Sequence, residues 1–321
     1  MTTQTLRHLE RFGPERCETL TADQARSWCR RLAQSHYENF SVLSPLVPPG
    51  LRDDFAAFYC FCRWADDLGD EMASSARSLE LLAWWRRELQ QCFAGEPRHP
   101  VFVALLPTIE RHDLPIEPFD RLIQAFEQDQ SVRRYESWEH LIAYCRLSAD
   151  PVGRVVLMLL DEPRDHERFD RSDSVCTALQ LTNHWQDVSR DILARDRVYI
   201  PREMIASAGI REFDERLRAS AAQGWGVDRA FLAQSRAVIK ACVERTWPLF
   251  ERGESLLDVL QPRHRALIWL FIAGGEHVLR SIELWNYETA LHRPRLGRLT
   301  KLRLIARTWL MWKLAPRSSS T

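Results

Sequence analysis

The chain has 321 residues, 45% of them hydrophobic and 27% charged, with 44 Lys+Arg balanced by 44 Asp+Glu. That apolar content builds a full core in one large domain or two small ones and excludes a disordered chain. Zero net charge argues against a nucleic-acid binder, and only 12 glycines argue against glycine-rich β architectures and glycine-rich cofactor loops.

Helical periodicity runs through nearly the whole chain. Thr21 with Gln24 reads as a capping box that opens a helix to about His36. A proline-containing loop covers 41–50, and 51–69 is a strongly apolar helix. Further helices are predicted near 76–93, 100–112, 117–130, 137–149, 152–160, 169–194, 228–250 and 262–289. Turn chemistry separates them at 94–100, 161–168 and Pro201, and residues 209–227 read as a polar, irregular surface insert. No run of alternating β-branched residues predicts a strand. The expected fold is all-α, a single-domain helical bundle with a central cavity over residues 1–290, followed by a basic C-terminal helix and tail over 291–321.

The eight cysteines are scattered through apolar helical text, and Cys60-x-Cys62 has no second pair to complete a zinc site. They read as small buried hydrophobes in a reducing cytoplasm. The first residues carry no apolar leader, and no stretch reaches about 18 consecutive apolar residues. A cytoplasmic location is expected.

Two segments depart from simple amphipathic patterning. In the first, Asp66 and Asp70 lie at i,i+4 on one helix face, with Arg63 a turn earlier and Tyr59 two turns back. In the second, Asn183, Asp187 and Asp191 form an i,i+4,i+8 stripe. Both continue apolar helices, and a buried carboxylate must be paired or bound to metal. Each pair alone reads as a solvated acidic face. Two such pairs favour an oxygen-rich pocket suited to Mg²⁺, a hard cation that completes its shell with waters and phosphate oxygens. No serine-hydrolase elbow, zinc-protease motif, P-loop or complete dinucleotide fingerprint is present.

At these residues the chain resembles the squalene/phytoene synthase family, the head-to-head prenyl diphosphate synthases. The first motif is Tyr59-x-x-x-Arg63-x-x-Asp66-Asp67-x-x-Asp70. The second is Gln180-x-x-Asn183-x-x-x-Asp187-x-x-x-Asp191, followed by Arg197-Val198-Tyr199. Between them, Tyr144 to Gly153 is similar to the family's substrate-lining segment, and the resemblance covers about residues 22–290. Within the family the likeness is greatest to bacterial hydroxysqualene synthases of the hopanoid pathway. It is carried by 36–40 (His-Tyr-Glu-Asn-Phe), 65–71, 144–146, 150–153 and 291–296. There are departures. Tyr37-Glu38-Asn39-Phe40 stands where many relatives have Ser-x-Ser-Phe with diphosphate-binding serines, and the acidic Glu38 there argues against one of two diphosphate subsites; Gln186 and Arg190 replace Arg and Glu, and the loop from Asp191 to Arg197 is one residue longer.

The resemblance implies an isoprenoid synthase that takes presqualene diphosphate to hydroxysqualene with release of diphosphate. Two or three Mg²⁺ ions would be held by Asp66, Asp70, Asp187 and Asp191, with Asn183 as a neutral ligand and Asp67 in support. Arg63 and Arg197 would donate to the departing diphosphate, and Gln180 would contact substrate. Tyr37, Phe40, Tyr59, Tyr144 and Tyr287 would face the cation, with Trp185 a weaker candidate. His36 or Asn39 would place the quenching water, and no NADPH is expected. The implied partners are the substrate and an upstream presqualene diphosphate synthase. Alternative outcomes within the family are presqualene diphosphate, squalene or phytoene formation. Outside catalysis, a non-catalytic assembly or binding protein and an acidic helical interaction protein are the competing readings.

The charge balance is uneven. Residues 289–321 hold eight basic side chains and no acidic one, leaving 36 basic against 44 acidic in 1–288. In 299–314, Leu302, Ile305, Ala306, Trp309 and Trp312 share one helical stripe, Arg303 and Arg307 lie off it, and Leu304 and Met311 fall on the other side. Two readings stand: a last helix packed on the body, or a peripheral contact with an anionic membrane surface on the cytoplasmic side.

Overall fold

The structure is a computed structural model that describes residues 4–35, 47–224, 228–295 and 297–314. His36, Tyr37, Asn39 and Phe40 lie outside the described residues, as does Glu38. Among the described residues there is no strand, only two isolated β-bridges, and the protein is all-α. The chain divides into two compact units.

The first unit comprises residues 1–131 and 154–164. It contains α1 (Gln4–Phe12), α2 (Ala22–Ser35), α3 (Arg52–Asp70), α4 (Ser75–Phe93), α5 (Pro100–His112) and α6 (Glu117–Gln128). Helix α3 is its axis, packed by α2, α4, α5 and α6. Its apolar run places Phe55, Phe58, Phe61, Trp64 and Leu68 in the core, where Trp64 stacks on Trp85 at 5.4 Å. His99 is fully buried against Trp64 and Trp85, with ring centroids 4.3 and 4.8 Å away. Burial holds its imidazole well below the ordinary histidine range. The neutral ring caps α5, with Nδ1 accepting from the Val101 backbone N–H.

The second unit comprises 132–153 and 165–321. It contains α7 (Trp138–Ser148), the start of α8 (Asp150–Leu159), α9 (His166–Gln186), α10 (Val188–Ala194), α11 (Arg202–Ser207), α12 (Phe213–Gln223), α13 (Arg229–Glu254), α14 (Leu256–Val259), α15 (Pro262–Leu284) and α16 (Arg298–Leu314). Here α9 is the axis, packed by α13, α15, α7 and α14. Close approach depends on missing side chains. A Cβ on Gly153 would lie 2.4 Å from Ser172 Oγ and 2.5 Å from Cys176 Sγ, and one on Gly275 would lie 2.4 Å from Leu179 Cδ2. Thr177 Oγ1 donates to Asp150 Oδ1 at 2.8 Å and ties the start of α8 to α9.

Three expectations are corrected. Residues 209–227 are not wholly irregular: α12 forms because Phe213, Leu217 and Ser220, at helical spacing, are buried. The helix expected over 169–194 breaks at Asp187, whose φ of −103° and ψ of 13° leave the helical range and separate α9 from α10. The helix expected to 289 ends at Leu284, because Asn286 and Tyr287 adopt left-handed backbone (φ 53° and 59°) and turn the chain. Helices α1, α11 and α14 were also not anticipated. The cysteines are all free, and most are buried.

Candidate functional site

The first motif occupies about the last three turns of α3. Its C-terminal end is fixed where the Gly69 carbonyl accepts from Ser78 Oγ at 3.1 Å and from Gln130 Nε2 at 2.9 Å. Asp67 is fully buried and pairs with Arg63, which also lies 3.5 Å from Asp66. Tyr59, Asp66 and Asp70 are half-buried. Arg63 is therefore oriented by a carboxylate beneath it, with Asp66 beside it.

The second motif straddles the break between α9 and α10. Hydrogen bonding of helical type continues across it, with the Asp187 N–H donating to the Asn183 carbonyl at 2.9 Å and the Asp191 N–H to the Asp187 carbonyl at 2.8 Å. The aspartates thus stay one turn apart even though the helix bends. Asp187 receives both ends of the Arg293 guanidinium, Nη2 at 3.0 Å from Oδ2 and Nε on Oδ1, while Arg190 approaches to 3.5 Å. Asp191 is buried, with Arg195 3.6 Å from its carboxylate. Burial first, and the Asp187 charge second, push the Asp191 carboxyl up to about 7 against the opposing pull of Arg195, Arg190 and Arg197.

A strap formed by 286–294 lies over this turn. The Ser189 N–H donates to the Thr289 carbonyl at 3.2 Å, the Gln186 amide donates to the Pro294 carbonyl, and Arg293 reaches Asp187. The strap is anchored in turn by buried Glu288, which accepts from Arg236 at 2.8 Å. Tyr287 sits half-buried at its start.

Beside the aspartates is an aromatic cluster. His184 stacks on Tyr199 with centroids 3.6 Å apart and planes at 15°. Tyr144 lies 6.1 Å from His184 and 5.9 Å from Tyr199, and Tyr135 lies 5.5 Å from Tyr144. Burial and the Arg197 charge push His184 down to about 3, so it is neutral. Arg197 itself is buried, and its charge acts on both His184 and Asp191. Trp185, by contrast, is core: fully buried, with Nε1 donating to Thr246 Oγ1 at 2.9 Å. Gln180 is half-buried and Asn183 exposed.

The structure thus brings Asp187, Asp191, Arg197 and Tyr144 into one neighbourhood of the second unit, and Arg63 and Asp66 into one of the first. Sequence reasoning missed Arg293, although it lies in the segment 291–296 that was singled out. It also missed His184, Tyr135 and Tyr199 as one aromatic group. Among the described residues, no set of three or more His, Cys, Asp or Glu side chains is gathered closely enough to hold a metal ion. The donors are nonetheless of the kind Mg²⁺ prefers. Asp187 and Asp191 are near enough for one charge to raise the other's pKa, an arrangement that a divalent cation relieves.

Residues 33–302 match the family model for squalene/phytoene synthase. The crystal structure of squalene synthase HpnC from Alicyclobacillus acidocaldarius is similar at 41% identity and a TM-score of 0.74, covering 83% of this chain and 96% of that one. Hydroxysqualene synthase from Zymomonas mobilis is 39% identical over 177 residues, 54% of this chain and 57% of that protein. The alignment therefore spans less than two thirds of that relative's length. Phytoene synthase from Arthrospira platensis is 29% identical over 272 residues, 81% of this chain and 84% of that protein. With the family model matched over most of its length, and two aspartate motifs set on an all-α frame, the chain belongs to the squalene/phytoene synthase family.

Proposed function

We propose that this protein converts presqualene diphosphate to hydroxysqualene with Mg²⁺ and releases diphosphate. The observation that carries the reading is the second motif: two close carboxylates, one buried enough to be pushed up to about 7, among Arg190, Arg195, Arg197 and Arg293. Such density of both signs suits a magnesium diphosphate, whose cations meet the carboxylates and whose oxygens meet the guanidinium groups. The similarity to hydroxysqualene synthases supports the choice of substrate.

Asp66 and Asp70 in one motif, and Asn183, Asp187 and Asp191 in the other, are the magnesium ligands in this proposal. Bound Mg²⁺ supplies Lewis-acid stabilisation of the leaving diphosphate. Arg63 and Arg197 donate hydrogen bonds to diphosphate oxygens. Gln180 contacts the substrate. Tyr59 and Tyr144 present aromatic faces to the carbocation, and the neutral His184 adds no opposing charge beside Tyr144. Water then attacks the cation and loses a proton, so the alcohol forms without a nicotinamide cofactor. His36 or Asn39 positions that water, and Tyr37, Phe40 and Tyr287 complete the aromatic lining.

Purified protein incubated with presqualene diphosphate and Mg²⁺ should release pyrophosphate and yield a C30 alcohol by mass spectrometry without NADPH. Asp66→Ala and Asp187→Ala should each abolish turnover while the circular dichroism spectrum is kept. A second reading is squalene formation, favoured by the name of the Alicyclobacillus relative. Squalene appearing only when NADPH is added would establish that reading and overturn ours. Product from farnesyl diphosphate alone would move the assignment to an earlier step.

A further inference from the structure

The last helix has two apolar faces, and among the described residues only one is packed against the fold. Helix α16 packs on α15 through buried Leu304 and Thr308, and the Arg307 guanidinium lies 4.8 Å above the Trp269 ring. This explains Leu304 and Met311 on the inner side. The opposite side carries Leu302, Ile305, Trp309 and Leu310, which are 62%, 43%, 47% and 53% exposed. Ala306 is exposed among them. These positions follow helical spacing, so they form a continuous stripe about two and a half turns long.

The stripe has a charged border of one sign. Arg303 and Lys313 are exposed beside it, and the Lys313 ammonium sits 3.8 Å from the Trp309 ring centroid. No acidic residue occurs anywhere in 289–321. Two copies of this face brought together would oppose cation to cation, with no carboxylate on the helix to pair them. An anionic surface with an apolar interior meets both features. Trp and Lys at the edge of an apolar stripe are the side chains that lie best at a lipid headgroup boundary. No helix among the described residues is long and apolar enough to cross a membrane, so the contact would lie flat.

We infer that the outward face of α16, centred on Leu302, Ile305 and Trp309 and bordered by Arg303 and Lys313, docks the protein on an anionic lipid bilayer. The inference is independent of the reaction assigned above.

The test is co-sedimentation of the full chain with vesicles of phosphatidylcholine plus phosphatidylglycerol, and with vesicles of phosphatidylcholine alone. The protein should sediment with the anionic vesicles and much less with the neutral ones, and added salt should release it. The double variant Leu302→Glu/Trp309→Glu should bind about tenfold or more weakly, with an unchanged melting temperature because neither side chain faces the body. The single variant Arg303→Gln, which leaves the apolar stripe whole, should weaken anionic-vesicle binding about fewfold. Equal binding by the double variant, equal binding to neutral vesicles, or no sedimentation of the wild type would each overturn the inference. So would size-exclusion data in which the wild type is a dimer that the double variant dissolves.

Discussion

The Arg293–Asp187 pair offers a direct measure of how the strap is held on the second motif. Replacing Arg293 by Met keeps the aliphatic stem but removes two hydrogen bonds to a carboxylate that is only 14% exposed, from an arginine that is 31% exposed. Hydrogen bonds to charged groups contribute about 1.5–3 kcal/mol, and stranding a buried charge adds to the loss. Arg190 remains at 3.5 Å but is half exposed, so it restores little. The expected cost is about 2 kcal/mol in urea unfolding with a chelator present. In a double-mutant cycle with Asp187→Asn, the coupling should be about 1–2 kcal/mol, because each single change removes the same contact. A loss below about 0.5 kcal/mol for Arg293→Met, or additivity in the cycle, would show that the strap is held by its backbone contacts alone.

Three further outcomes are expected. Burial and the neighbouring Glu254 push the Glu276 carboxyl from its ordinary 4.5 up to about 7. A raised folded-state pKa means its favourable contribution is present below about pH 4.5 and lost as pH rises through about 7. Glu276→Gln should therefore raise the free energy of unfolding at about pH 8 by roughly 1–2 kcal/mol after screening and do little at about pH 4.5; equal effects at both would refute the assignment. Gly153→Ala should cost about 1–3 kcal/mol through overlap with Ser172 and Cys176, with partial recovery in Gly153→Ala/Ser172→Gly; a neutral Gly153→Ala would mean that α8 and α9 separate easily. His184, pushed down to about 3, should show no imidazole titration by NMR between about pH 8 and pH 5, and a midpoint near an ordinary histidine would contradict its burial against Tyr199.

The helical content was legible because each long helix has an apolar face to bury, as in α3 with Phe55, Phe58, Phe61 and Trp64. The break at Asp187 was not legible, because hydrogen bonding of helical type runs straight across it and the residues on either side keep helical spacing. Helix α12 was hidden by its polar composition, since only Phe213, Leu217 and Ser220 are buried. At the site, the aspartates stood out because paired acids on apolar helices violate amphipathic patterning. Arg293 gave no such signal. Its partner is 106 residues away, and one arginine among eight basic residues in a tail looks like its neighbours. The two faces of α16 were visible as a pattern that fitted no single stripe. Only the packing of Leu304 and Thr308 on α15 separates the inner face from the outer.

Helix α9 also supplies a physical argument for reading its polar stripe as a site. It is packed by α7, α13, α14 and α15, and between residues 171 and 186 only Asn183 is exposed, so this stretch has no broad side on which polar residues could simply face water. Most of its buried polar groups are absorbed by the fold. Thr177 bonds Asp150, Thr182 bonds the Ala178 carbonyl, the Trp185 indole bonds Thr246, and the Gln186 amide bonds the Pro294 carbonyl. Gln180, Asn183 and Asp187 are left on one edge, at the spacing that keeps them on the same face. That edge leads directly to buried Asp191. Asp187 has a partner, but that partner comes from the strap rather than from a packed helix. Removing the negative charge of Asp187 therefore affects the strap and the Asp191 carboxyl, while Thr177 and Trp185 keep their core bonds. Asp187→Asn should accordingly lower the Asp191 pKa from about 7 toward the ordinary carboxylate range, because the Asp187 charge is one of its two raising causes. Carboxyl-carbon NMR of the metal-free protein reads this directly. An unmoved Asp191 midpoint would place the two carboxylates too far apart to share a cation.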